Sequence, residues 1–135
     1  GVLWEIRQVE DDEWLAIENM GQLHCEFWAA VKYVWSNIWD LKPRKSRLLH
    51  GAGVVSLGYL LEVMVARCSE DALPDMEYFV GALERIEPEC RWTSGWWDFG
   101  NGQRRRWDEV QNVSRDVIML ANHLTRAYRL LLRRR

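Results

Sequence analysis

Between Leu48 and Ala66 only His50 and Glu62 can carry a charge near neutral pH, and the remaining positions are apolar, small or hydroxyl-bearing. A run of that kind must be enclosed, either by lipid or by other elements of the same fold. It approaches membrane-spanning length, but the two titratable side chains and Gly51, Gly53 and Gly58 argue against a span. The expectation is a buried central helix from about Arg47 to Cys68, apolar almost all the way round, with the rest of the chain wrapped about it. Small residues at Gly51, Ala52, Gly53, Ser56 and Gly58 thin its start, so a neighbouring backbone or a ligand can approach closely there. Close packing of helix on helix is the preferred reading, because small residues are the usual way to fit a dense interior.

The wrapping elements follow from periodicity and caps. Val2 to Val9 alternates weakly, as a short edge strand or extended arm would, and the acids Glu10 to Glu13 suit the start of a helix near Asp12. From there Trp14, Ile17, Gly21, His24, Trp28, Val31, Trp35 and Ile38 form one apolar stripe ending near Trp39, with Met20-Gly21 as a candidate break. Pro43 marks a turn, after which Ser46 can cap the central helix. A short third helix lies between Pro74 and Pro88 with the stripe Met76, Phe79, Val80, Leu83 and Ile86. A last helix, capped by Ser114, buries Val117, Leu120, Ala121, Leu124, Ala127, Tyr128 and Leu131. At about 100° per residue, Arg115, Asn122, Arg126, Arg129 and Arg133 then share the opposite face. The expected fold class is all-α: a compact four- to five-helix bundle-like domain with a Trp/Arg-rich connection before the last helix. It is read as one helical domain, 1–135, with room for it to be part of a longer chain.

Charge and cysteine usage narrow the function classes. A net charge of −2 supplies no general attraction to phosphate, so any nucleic-acid role must rest on where the charges lie. They lie unevenly, with acids concentrated at the start and nine arginines between residues 104 and 135. That asymmetry suits an anionic partner at the C-terminal end, or contact between the two ends of one fold. Cys25, Cys68 and Cys90 are odd in number, widely spaced and free of any CxxC pair, which reads as a reduced, cytoplasmic protein with no metal site. His24-Cys25-Glu26 echoes the H-x-E of zinc deaminases, but no P-C-x-x-C completes it. Neither a Walker A sequence nor a serine or cysteine nucleophile with its base stands out, so a non-enzymatic protein without a cofactor is expected.

Two basic surfaces are candidates for nucleic acid. Arg44, Lys45 and Arg47, with His50, lie at or near the start of the central helix, where free N–H groups and the dipole favour anions. Arg104, Arg105, Arg106, Arg115, Arg126, Arg129 and Arg133 form the second. Trp96, Trp97 and Trp107, with Trp92 and Arg91 beside them, could stack bases as single-strand binders do, or dock on another protein. The connection could equally fold back over the core, with its arginines stacked on rings or paired to Asp98, Asp108 and Glu109, and this covering role is favoured because Trp is highly buried on average.

Three segments taken together, "FWAAVKYVWSNIW", "SRLLHGAGVVSLGYLLEVM" and "GWWDFGNGQRRRWDEVQNVSRDVIMLANHLTRAYR", resemble the helical C-terminal portion of DGQHR-domain proteins, the group that includes DndB-type regulators of bacterial DNA phosphorothioate modification. The resemblance covers most of residues 27 to 129. It implies a DNA-associated, regulatory role in a bacterial modification or phage-defence system, with this chain as one part of a longer protein. Asn101-Gly102-Gln103-Arg104-Arg105 departs from D-G-Q-H-R at its first and fourth positions, and no role is carried onto it. The expected partners are DNA, another protein or the rest of its own chain, and no membrane.

Overall fold

A computed structural model of the chain describes residues 2–133, apart from the side chains of residues 2–12, 14, 15 and 70. Four α-helices account for most of it: α1 (Val2–Val34), α2 (Gly51–Ala66), α3 (Met76–Ile86) and α4 (Ser114–Arg133). A two-stranded antiparallel sheet, β1 (Trp96–Asp98) and β2 (Arg104–Arg106), stands between α3 and α4. The fold is therefore mainly α, and the all-α expectation is corrected by this hairpin.

The hairpin is built by its turn. Gly100, Asn101 and Gly102 all have positive φ (86°, 53° and 76°), a conformation that glycine and asparagine adopt at least cost. Asp98 Oδ1 accepts the Gly100 N–H at 3.0 Å, and Phe99 N–H donates to the Gln103 carbonyl at 2.8 Å, closing the loop. The register pairs Trp96 with Arg106, Trp97 with Arg105 and Asp98 with Arg104. The Asn-Gly pair was the available hairpin signal.

α1 packs chiefly against α3, α2 against α4, and α3 against α4. Their shared core includes Phe27, Val31, Leu48, Leu57, Leu60, Met64, Phe79, Leu83, Leu120 and Leu124. α3 and α4 turn inward the stripes their periodicity predicts, with Val80, Ala127 and Leu131 half-buried, except that Met76 is exposed and that Asp116 and His123 within α4 join its buried set. Asp75, one residue after Pro74, caps α3 by accepting the Tyr78 N–H at 2.9 Å. Ser114 is the first residue inside α4 instead of its cap.

Three expectations for the first half are corrected. α1 begins at Val2, so there is no N-terminal strand; with no breaker before Gly21, a weak alternation over eight residues could not be told from a helical period. Its buried stripe is Leu23, Phe27, Ala30 and Val31, joined by Trp35 just past its end, whereas Ile17, Gly21 and His24 face out and Trp28 is half-buried. The side chain of Trp14 lies outside the described residues. The helix passes through Met20-Gly21 unbroken and ends at Val34, giving way to turns through Asp40.

α2 starts at Gly51, four residues later than expected. His50 is extended and caps the helix through Nδ1, which accepts the Ala52 N–H at 3.1 Å. Ser46 instead accepts the Leu48 N–H at 3.1 Å and shapes the bend before the helix. That bend lays the Arg47 and Leu48 carbonyls against Gly53, where a Cβ would collide with backbone. Close packing is thus the role of Gly53, against the chain's own preceding turn. Nor is α2 enclosed on every side, since Val54, Val55 and Tyr59 are exposed.

Candidate nucleic-acid interface

Strand alternation sends neighbouring tryptophans in opposite directions. Trp97 is fully buried, with Trp92 and Phe99 beside it, while Trp96 is 51% exposed. Inside, Trp35 meets Trp92 edge-on at 5.8 Å and Trp92 meets Trp97 at 5.1 Å. His123 stands edge-on to Trp97 and Phe99, its Nε2 2.7 Å from the Glu89 carbonyl oxygen. The hairpin is therefore a cover bolted to the core by aromatic side chains. Trp97 is corrected from a stacking or docking residue to a core residue, and Trp107 is half-buried beneath the Arg47 guanidinium, 5.7 Å from its ring centre.

The first predicted basic surface is divided by burial. Arg44 and Lys45 are exposed in their turn, but Arg47 is 7% exposed and points inward. Its Nε donates to the Val110 carbonyl at 2.8 Å, Nη1 to the Pro43 carbonyl at 2.7 Å and Nη2 to the Asp108 backbone carbonyl at 2.6 Å. A guanidinium suits this task because its donors diverge in one plane and can bind its own turn, through Pro43, to the segment that carries Asp108 and Val110. With Arg47 turned in and His50 capping the first free N–H group, the anion site expected at this helix start is not formed by those two residues.

The second surface is also sorted. Arg105, paired with inward-facing Trp97, reaches the buried carboxylate of Asp116 at 3.4 Å and the Glu109 carbonyl at 3.0 Å. Asp116 also accepts the Gln111 N–H at 2.9 Å, so it anchors the segment between hairpin and α4. Arg106 is paired with Asp108, whose carboxyl is held below the usual carboxylate range by the hydrogen bond from that guanidinium. Arg104 lies over the exposed face of Trp96, 5.8 Å from the ring centre. Arg126 donates to the Phe99 carbonyl at 3.2 Å, fastening the hairpin turn to α4.

What remains outward is one continuous groove between the hairpin turn and the outer face of α4. One end, of about 640 Å³, is lined by Phe99, Gln103, Asn122, Arg126, Arg129 and Arg133. The other takes in Arg104, Arg105 and Arg115, and shares Gln103, Met119 and Asn122 with the first. Six arginines line the two ends, and no acidic side chain does. Asp116, buried beneath, pairs with Arg105 and lies 3.8 Å from Arg115, while Glu89 and Asp98 stand with Arg126 in the adjoining pocket. Arg129 and Arg133 enter no ion pair among the described residues. The α4 part of this face was legible from helical periodicity; the hairpin's contribution was not.

Among the described residues no group of three His, Cys, Asp or Glu side chains is placed to hold a metal ion, and no helix is long and apolar enough to cross a membrane. Comparison with known proteins returned no matching family model, no matching curated protein and no matching solved structure.

Proposed function

We propose that the chain is a DNA-associated accessory domain that grips the phosphate backbone in the groove between α4 and the hairpin. The observation that carries this reading is the six-arginine lining without an acid, on a chain whose net charge is −2. Cations gathered against the overall charge cost self-repulsion in the free protein, and an anionic ligand relieves it. Arg104, Arg126, Arg129 and Arg133 contact phosphate; Gln103 and Asn122 offer hydrogen bonds to sugar or base. The resemblance to DGQHR-domain proteins supports placing that binding in a bacterial modification or phage-defence system, in a regulatory role. Docking of a protein on the Trp-rich connection, the rival expectation, is left with Trp96 as its one fully outward tryptophan there.

The test is a salt titration of binding to a labelled duplex. Four phosphate contacts give a log–log slope of about −3.6, a loss of roughly a hundredfold between 50 and 200 mM salt. Arg126→Ala or Arg129→Ala flattens the slope by about one unit each. Salt-independent binding, or no binding at low salt, refutes the proposal.

A further inference from the structure

α1 is 33 residues, about 50 Å at a helix's rise per residue. Its first buried side chain among those described is Leu23, and every described side chain from Glu13 to Gln22 is exposed. Ile17 (62% exposed) and Met20 (53%) lie one turn apart on that segment. Residues 1–22 also carry six acids, Glu5, Glu10, Asp11, Asp12, Glu13 and Glu18, against the single base Arg7. An apolar stripe left in solvent adds no stability to the helix that bears it.

The groove described above has the complementary character. Arg104, Arg115, Arg126 and Arg129 surround apolar side chains that are themselves open to solvent, Ile118 at 55% and Leu130 at 44%. An acidic helical segment whose described side chains, Ile17 and Met20 among them, are exposed, and a basic groove with exposed apolar side chains thus belong to the same chain. We propose that the acidic N-terminal half of α1 of one copy docks in the arginine groove of a second copy.

Charge decides against the other pairings. α1 against α1 would bring two strongly acidic segments together, and groove against groove would oppose twelve arginines, twice the six that line one groove. The turn bearing Arg44 and Lys45 offers cations beside one exposed apolar side chain, Leu41. Of these pairings among the described residues, helix in groove satisfies both the apolar and the charged surfaces, in the manner of amphipathic helices bound to grooves. The contact does not depend on DNA; where both occur, they compete for the same arginines.

Light scattering over a concentration series tests this on the full chain. The wild type rises above its monomer mass of 16.0 kDa at low salt and returns toward it at high salt. Ile17→Asp with Met20→Asp, and separately Arg129→Glu with Arg133→Glu, stay monomeric while keeping wild-type helicity by circular dichroism, because all four side chains are exposed and neither arginine enters an ion pair among the described residues. Mixing the two variants restores association, since one supplies an intact groove and the other an intact helix. A wild type that is monomeric at every concentration overturns the proposal. So does association that survives either pair of substitutions, or a mixture of the two variants that stays monomeric.

Discussion

Arg47→Met separates the inward from the outward arginines most directly. Methionine retains much of the arginine stem's volume but none of its donors, so the Val110, Pro43 and Asp108 carbonyls lose the guanidinium together, Asp108 keeping the Gln111 side-chain amide at 3.3 Å. The bond to Val110 is buried, and leaving that carbonyl unpaired costs about 2 kcal/mol. The other two are partly wet and cost roughly 0.5 kcal/mol each once water replaces the guanidinium. Loss of the cation over Trp107 adds about 0.5 kcal/mol, for a total near ~3.5 kcal/mol, offset by about 0.5 because a charge no longer needs burying. A net loss of about 3 kcal/mol lowers Tm by roughly 10 °C in a domain of this size. Urea denaturation should show a lower midpoint with an unchanged slope, and Arg47→Lys should recover less than half, since one ammonium cannot reach three divergent carbonyls. Per folded molecule, the affinity of Arg47→Met for DNA should equal that of the wild type. A stability loss below about 1 kcal/mol would refute the clamp, and a flattened salt slope would return Arg47 to the phosphate surface.

Other expectations follow from neighbouring contacts. Gly53→Ala places a methyl against the Arg47 and Leu48 carbonyls and should cost about 1–3 kcal/mol, whereas Gly58→Ala meets nothing within 4 Å and should gain about 0.5–1 kcal/mol by thermal unfolding. Trp97→Ala should cost about 3–5 kcal/mol, and Trp96→Ala less than about 1, because alternate strand residues enter different environments. Burial, then the neighbouring Arg47 charge, lowers the His50 pKa below its ordinary value, and protonation would also remove the lone pair that caps α2. Because the folded pKa is the lower one, this stability is present above about pH 6.5 and is lost as pH falls through the folded value. His50→Asn, which keeps a cap but cannot titrate, should therefore show a shallower fall in Tm below that pH; equal slopes would exclude the mechanism.

The hairpin shows how local signals were partly readable. Asn101-Gly102 between Phe99 and Gln103 is a turn signal, but strands of three residues are too short for alternation to declare itself. Tryptophan-rich composition pointed to a cover, and Trp92 and Trp97 have that role, while Trp96 on the same strand does not. α1 illustrates the opposite failure: the period was right and the phase was wrong. With apolar residues at Ile17, Met20, Leu23, Phe27, Trp28 and Val31, the sequence offers two overlapping stripes, and only the position of α3 selects between them.

The amino-acid order alone determined the helical periods of α3 and α4, the outward arginine face from Arg115 to Arg133, and the need to enclose most of residues 48 to 66. Those properties belong to single elements, where spacing fixes which side chains share a face. Tertiary structure decided that Arg47 is a clamp, that Arg105 serves Asp116, and that Arg104 joins the α4 arginines in one groove. Each of these depends on a partner in another element; the Arg47 guanidinium meets a carbonyl 63 residues away. A charged side chain is drawn inward only where several unpaired acceptors converge, and that convergence exists only after the chain has packed.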